Sequence, residues 1–378
     1  MARPGNTEEF REVARRRLPQ PLFDYIDGGA DDERTLKRNS AVFEKRSLVP
    51  HGLVDVSRIN CGASILGQQL SMPLILSPTG MSRLFHSGKE LAVARAAADA
   101  GLLYGLSTMA TTSIEDVAAA SNGSRMFQIY IFKDRGLTNE LVDRCAAAGY
   151  HALCLTIDTP LAGNRERDRR SGMTIPPRFD LRSLVSYALH PRWLLDFLKN
   201  PDFRLANVVH RVDALASGPT GLIEYVNAQF DPSVTWEDAK LLVRQWKGPF
   251  VIKGVLDADD AIRARDIGAT AVMISNHGGR QLDGVLAPLE TLPEIREAVG
   301  DTIELIVDGG VRRGSDIVKA ICLGADACSI GRPYLYALAA DGENGVRGLL
   351  EILRSEFART LALMGKESVH MLNRGSIV

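Results

Sequence analysis

The 378-residue sequence has almost no net charge: 45 lysines and arginines stand against 46 aspartates and glutamates, a formal balance of -1. A nucleic-acid binder needs a positive field, so no nucleic-acid partner is expected. Cysteine is scarce. Cys61, Cys145, Cys154, Cys322 and Cys328 form no C-x-x-C pair, which excludes a disulfide scaffold and fits a reducing compartment. No uncharged run reaches membrane-spanning length, and the opening "MARPGNTEEFREVARRRLP" lacks the apolar core of a secretory signal. The expectation is a cytoplasmic protein, or one attached peripherally to the inner face of the cytoplasmic membrane. Also missing is a G-x-G-x-x-G turn after the first strand, which weakens a nicotinamide-binding Rossmann domain. Two local basic runs, "ARRR" (14–17) and "NRERDRR" (164–170), read as solvated faces.

What the sequence does contain is an alternation. Eight short apolar runs, "MPLILSP" (72–78), "LLYGLST" (102–108), "MFQIYIF" (126–132), "HALCLTID" (151–158), "PFVIKG" (249–254), "TAVMISN" (270–276), "IELIVDG" (303–309) and "DACSIG" (326–331), are each followed by a helical pattern. They are continuously apolar, as parallel strands covered on both faces must be. A glycine precedes several of them, in "DAGLLYG", "AAGYHAL", "DIGATAV" and "CLGADAC", where a helix ends with positive φ. The expected fold is α/β, a (β/α)8 TIM barrel over 71–365, within a single domain spanning 1–378. Residues 1–70 should form an N-terminal helical cap with a short hairpin. A long insertion, 163–235, follows the fourth strand; its segment "ALHPRWLLDFLK" is aromatic, apolar and basic at once. That segment suits a helix packed on the barrel or on another subunit, or an interfacial membrane contact.

In such a barrel the C-terminal strand ends face the active site. Here they are polar throughout: Pro78, Thr79 and Gly80; Ser107 and Met109; Gln128 and Tyr130; Thr156, Asp158 and Arg165; Lys253; Ser275, His277 and Arg280; Asp308, Gly309, Gly310 and Arg312; Gly331 and Arg332. An ordinary core gives no reason for that ring. Lys253, "DGGVRRG" and "IGRP" offer cations and bare backbone amides suited to a phosphate beside the last strands. The second set is His277, Arg280, Tyr130, Asp158 and Arg165. Paired arginines clamp a carboxylate, and a histidine steadied by an aspartate is a general base. The glycines of "SNHGGRQLD" would let a ligand ring approach the backbone. No metal site is expected.

These residues resemble the FMN-dependent 2-hydroxy acid oxidoreductases, the family of glycolate oxidase, L-lactate dehydrogenase, flavocytochrome b2 and (S)-mandelate dehydrogenase. The likeness spans nearly the whole chain: "FDYIDGGADDE" (23–33), "SPTGM" (77–81), "FQIYIFKDRG" (127–136), "LTIDTP" (155–160), "VIKGVL" (251–256), "SNHGGRQLD" (275–283), "DGGVRRGSDIVKA" (308–320) and "IGRP" (330–333). The resemblance implies an FMN enzyme that oxidises an L-2-hydroxy acid to the 2-oxo acid. His277 would take the proton and Asp158 stabilise its charged form. Arg280 and Arg165 would bind the substrate carboxylate with Tyr25, and Tyr130 would lie near the substrate hydroxyl or carboxylate. Lys253 would sit by the flavin N1–C2=O edge. Pro78, Thr79, Gly80, Ser107, Gln128, Thr156 and Ser275 would meet the ring and ribityl chain, and Asp308, Gly309, Gly310, Arg312, Gly331 and Arg332 the ribityl and phosphate.

Departures from the family pattern bear on the substrate. Met109 stands where glycolate oxidases carry tryptophan, and Ala162 replaces a larger residue, so the pocket should take lactate or an aryl acid. Gly80 stands where oxidases carry alanine, as in the mandelate dehydrogenase. "HPRWLLDFLKN" resembles the membrane-binding segment of the bacterial lactate and mandelate dehydrogenases. The resemblance therefore favours an L-lactate dehydrogenase-type enzyme passing electrons to a quinone or cytochrome, and implies a homotetramer. The alternatives are an (S)-mandelate dehydrogenase, a glycolate or lactate oxidase using O2 and making peroxide, another phosphate-binding barrel, and a non-catalytic scaffold.

Overall fold

The computed structural model describes residues 3–173, 181–208 and 228–378. Eight parallel strands close into a barrel in chain order: β3 (Leu74–Thr79), β4 (Leu103–Ser107), β5 (Arg125–Ile129), β6 (Ala152–Thr156), β7 (Phe250–Val255), β8 (Ala271–Ser275), β9 (Glu304–Asp308) and β10 (Ala327–Ile330). β10 pairs back onto β3, so no edge remains. All eight expected runs hold a strand, and the strands are buried on both faces as continuous apolar sequence requires. The "MFQIYIF" strand stops earlier than its pattern suggested, because Tyr130 turns out toward the barrel mouth, where it lines the cavity.

The N-terminal cap is three helices, α1 (Thr7–Arg17), α2 (Gln20–Asp27) and α3 (Arg34–Glu44), followed by a hairpin of β1 (Ala63–Ile65) and β2 (Gln68–Leu70). Ile65, Leu66 and Leu70 of the hairpin join a core cluster with the inward side chains Ile75, Leu103, Met126, Val251, Met273 and Ile306. The hairpin thus plugs the N-terminal end of the barrel, leaving the other end for chemistry. Around the barrel run α4 (Lys89–Asp99), α5 (Ile114–Ala120) and α6 (Arg135–Ala147); α7 (Glu166–Ser171), α8 (Leu181–Ala188) and α9 (Pro191–Lys199) belong to the insertion. After it come α10 (Trp236–Trp246), α11 (Ala258–Asp266), α12 (Pro288–Val299), α13 (Gly314–Cys322) and α14 (Arg332–Leu363). Of the expected insertion, 174–180 and 209–227 lie outside the described residues. Among the described residues no helix is long and apolar enough to cross a membrane.

One buried carboxylate ties the cap to the rest. Asp27 accepts from Arg11 at 2.6 Å, from Arg167 of the insertion at 2.8 Å and from the Tyr336 hydroxyl at 2.8 Å. Burial alone would raise its pKa, but these donors outweigh burial and hold it down at about 2. The folded value lies below the unfolded one, so the stabilisation is fully present above about pH 4 and lost as pH falls toward 2. Its size is about 2 kcal/mol. Melting curves at pH 5 and pH 3 should therefore separate more for the wild type than for Asp27→Asn.

Candidate active site

A cavity of about 300 Å³ occupies the C-terminal mouth, lined by the ends of the strands, Tyr25 of the cap and Arg165 of the insertion. β8 ends at Ser275, and the turn after it carries His277. His277 has φ 58°, followed by Gly278 at 65° and Gly279 at 73°. A non-glycine residue in that region is uncommon and marks a site held by its surroundings. Asn276 does the holding: its amide and that of Asn39 on α3 exchange two hydrogen bonds of 2.8 Å, and its carbonyl oxygen accepts from the Gly279 N–H at 3.0 Å. The glycines also make room for protein neighbours, and Gly278 lines the cavity. A Cβ on Gly279 would lie 2.6 Å from the Leu36 amide, and one on Gly278 would strike the Arg332 guanidinium.

His277 Nδ1 donates to Asp158 Oδ1 at 2.9 Å, so the proton sits on Nδ1 and the Nε2 lone pair is left as the basic position. Burial would push the Asp158 carboxyl up, but the His277 charge and hydrogen bond outweigh it and hold it below its ordinary value. Asp158 stays ionised to balance a protonated imidazole. A strand glycine makes the contact possible: β7 bulges at Gly254 (φ 107°), and a Cβ there would lie 2.7 Å from the Asp158 Cβ.

Two guanidinium groups flank Tyr25, Arg280 at 4.9 Å from its ring centroid and Arg165 at 5.5 Å. Arg280 also donates to the Tyr25 and Gly28 carbonyls, which fixes it between cap and barrel. Burial, then the neighbouring Arg165 charge, lowers the Arg280 pKa. Two like charges held together in a cavity wall call for an anion between them.

Deeper in the mouth lies an ionic network. Lys253 Nζ meets Asp308 Oδ2 and the Ser275 hydroxyl at 2.9 Å each, and Asp308 also accepts from Ser275 at 2.8 Å and Ser77 at 3.0 Å. Burial would lower the Lys253 pKa, but the Asp308 and Asp158 charges outweigh it, so the ammonium stays charged. Ser275 departs from expectation: it is fully buried, its hydroxyl is engaged by Lys253, Asp308 and the His277 N–H, and it does not line the cavity. Arg332 departs too. It lines the cavity, yet it donates to the Ile26, Gly28 and Gly278 carbonyls, because a buried guanidinium needs acceptors and the cap supplies them. Its main work is to stitch the cap to the His277 turn.

Several groups have no reason to be as they are unless a flat polar ligand joins them. Gln128 gives its Oε1 to the Ser107 hydroxyl at 3.1 Å, which leaves Nε2 buried and without a partner; Thr156 Oγ1 and Ser329 Oγ are orphaned likewise. All three residues line the cavity. Gly331 has φ -113°, and a Cβ there would meet no neighbour closer than 3.5 Å, so neither backbone nor packing demands a glycine. Free donors at the ring position and an open glycine among the last turns fit FMN. Thr79 lines the cavity too, with its hydroxyl 2.6 Å from that of Tyr334.

Gly80, Pro78, Met109, Ala162, Gly309, Gly310 and Arg312 also line the cavity, as expected. A Cβ on Gly80 would lie 2.7 Å from Met109 Cβ, so these two positions are coupled and an alanine would displace Met109. Sequence reasoning overlooked Phe230, Met173, Leu161 and Gln281, which line the cavity as well. Phe230 is brought in by the chain returning from the insertion, where no periodic pattern marks it. Gln281 donates to the Asp158 and Leu161 carbonyls at 2.9 and 2.8 Å, a role its place in "SNHGGRQLD" could have signalled.

The description "FMN-dependent dehydrogenase" belongs to a family model that matches residues 14–378. An L-lactate oxidase of Nostoc sp. is 45% identical over 96% of this chain and 94% of its own length. An L-lactate dehydrogenase of Caulobacter vibrioides is 44% identical, covering 98% of this chain and 96% of its own. The crystal structure of (S)-mandelate dehydrogenase, a monotopic membrane protein, superposes with a TM-score of 0.95 at 39% identity, covering 99% of both chains. With the whole barrel, the cap and the polar mouth accounted for, the chain belongs to the FMN-dependent dehydrogenases, in the branch of flavoenzymes that act on 2-hydroxy acids.

Proposed function

We propose that the protein oxidises L-lactate or a related L-2-hydroxy acid to the 2-oxo acid. The carrying observation is the convergence of the His277–Asp158 pair with the Arg165 and Arg280 guanidinium groups on one cavity wall. The arginines grip the substrate carboxylate in fork geometry, aided by Tyr25. Held so, the substrate presents its carbinol carbon and hydroxyl to His277 Nε2, with Tyr130 beside them. His277 accepts the proton, and Asp158 stabilises the resulting imidazolium. Bound FMN supplies the two-electron acceptor. Lys253, kept charged by Asp308, would stabilise the negative charge that a bound flavin gains on reduction. Gln128, Thr156, Thr79, Gly80, Pro78 and Ser107 would hold the ring; Gly309, Gly310, Arg312 and Gly331 would hold the phosphate end.

The electron acceptor is a quinone or cytochrome in this reading. A second reading, an oxidase passing electrons to O2, is favoured by the likeness to the Nostoc lactate oxidase. Dye reduction under argon and peroxide release under air, each referred to 2-oxo acid formed, separate the two. A dehydrogenase gives little peroxide per turnover, and stoichiometric peroxide would contradict it.

We further propose attachment to the inner membrane surface through the insertion, in a homotetramer. Leu184, Val185, Leu189, Leu195 and Leu198 are each at least half exposed on α8, α9 and the turn between them. An apolar stripe of that kind suits an interface of lipid and water. Its base is well anchored: Trp193 Nε1 donates to the Leu84 carbonyl at 2.8 Å, and the fully buried Arg83 donates to the Asp196 and Asn200 carbonyls. Deleting the segment would orphan Arg83, so the better test is Leu195→Asp with Leu198→Asp. That variant should move from the membrane fraction to the supernatant with dye-linked activity retained; unchanged partitioning would contradict attachment.

A further inference from the structure

Beside the main cavity lies a second recess of about 210 Å³. The two share Tyr130, Thr156, Thr159 and Phe230, which therefore form the partition between them. Beyond the partition the walls include Leu155, Ile157, Val234, Trp236 and Ala239. The polar groups there are already partnered: Asp231 is held by Arg135 at 2.7 Å and by the Ser233 hydroxyl at 2.6 Å, and the Thr235 hydroxyl donates to Asp238 at 3.0 Å. Such a recess suits hydrocarbon rather than a polar group.

Phe230 is the large movable part of the partition. Its ring stands edge-on to Tyr130, with centroids 4.8 Å apart and planes at 82°. Its backbone is pinned by a bridge to Phe132, and its neighbour Gln229 accepts from the Lys133 N–H at 2.9 Å and the Asp134 N–H at 3.1 Å. With the main chain held there, trimming or enlarging the ring changes the partition without moving the segment it bridges. In the proposed reading Tyr130 would stand beside the substrate hydroxyl and Thr156 would face the flavin ring, which leaves Phe230 as the large side chain of the partition with no role in the chemistry.

We propose that Phe230 is a gate that sets substrate length, and that the recess behind it is a subsite for the distal end of straight-chain L-2-hydroxy acids with side chains of four to six carbons. The proposal rests on the reading that the main cavity oxidises 2-hydroxy acids, and names a substrate class for it. With the ring in place, short acids fill the main cavity and longer ones meet the phenyl edge. Removing the ring joins the two spaces, and each methylene then buried adds roughly fourfold to kcat/KM.

The experiment measures kcat/KM of the FMN-loaded enzyme for L-lactate, L-2-hydroxyhexanoate and L-2-hydroxyoctanoate by dye reduction. For Phe230→Ala the octanoate-to-lactate ratio should rise about tenfold or more. For Phe230→Trp it should fall, and Phe230→Leu should be intermediate, which keeps the series readable if the alanine variant folds poorly. A ratio within twofold of wild type across folded variants overturns the proposal. So does a parallel loss for all three acids, which would mean that Phe230 only braces Tyr130. Failure of every acid to bleach the wild-type flavin would instead sink the underlying reading of the cavity, and the gate with it.

Discussion

Replacing His277 with glutamine should lower turnover about 1,000- to 10,000-fold while the protein still binds FMN. The loss is chemical rather than structural. Glutamine offers a polar group of similar reach but no basic lone pair at the Nε2 position. The turn itself is set by the Asn276–Asn39 pair and by Gly278 and Gly279, none of which the substitution touches. The backbone at φ 58° costs somewhat more for glutamine than for histidine, which visits that region more readily, so FMN binding is measured alongside turnover. Stopped-flow flavin reduction by L-lactate checks the expectation. A rate within tenfold of wild type would remove His277 from its role.

Lys253→Met should cost the fold about 3–5 kcal/mol and abolish flavin retention. Lys253 and Asp308 are both almost fully buried, with their charges 2.9 Å apart. Deleting the ammonium leaves a carboxylate in the interior facing only the Ser77 and Ser275 hydroxyls. Asp308 is held below its ordinary pKa because Lys253 outweighs burial, so the lone carboxylate would be driven to take up a proton. Combining Lys253→Met with Asp308→Asn removes both charges and should recover most of the stability but none of the activity. Thermal melting of the three variants decides it. A double variant as unstable as the single one would show that the pair does not act as a unit.

The barrel was legible because its strands are buried on both faces, which writes them as continuous apolar runs, several of them preceded by a glycine at a helix end. Strand ends were less legible, and Tyr130 shows why: an apolar pattern does not record where a chain leaves the sheet to point a ring at a ligand. The site was readable through the clustering at strand ends of residues whose chemistry suits an acid substrate, His277, Arg165 and Arg280 above all. The pattern could not distinguish a polar group that faces a ligand from one spent on the protein. Ser275 and Arg332 look alike in sequence to Thr156 and Arg312. Only three-dimensional neighbours reveal that Ser275 is engaged by Lys253 and Asp308, and that Arg332 donates to the Ile26, Gly28 and Gly278 carbonyls while still lining the cavity. Phe230 was invisible for a related reason. It reaches the mouth through a long excursion of the chain, and nothing local to "NAQFDPS" announces the cavity. Gly278 and Gly279 were legible as special, but the sequence did not show that they also make room for Arg332 and Leu36.

The most direct test is the visible spectrum of the purified protein, reconstituted with FMN and mixed anaerobically with L-lactate. A flavin band in the blue that bleaches on adding the L-acid, and stays unbleached with D-lactate, is the predicted result. Protein that takes up no flavin, or bound flavin that L-lactate, (S)-mandelate and glycolate all leave oxidised, would contradict the account.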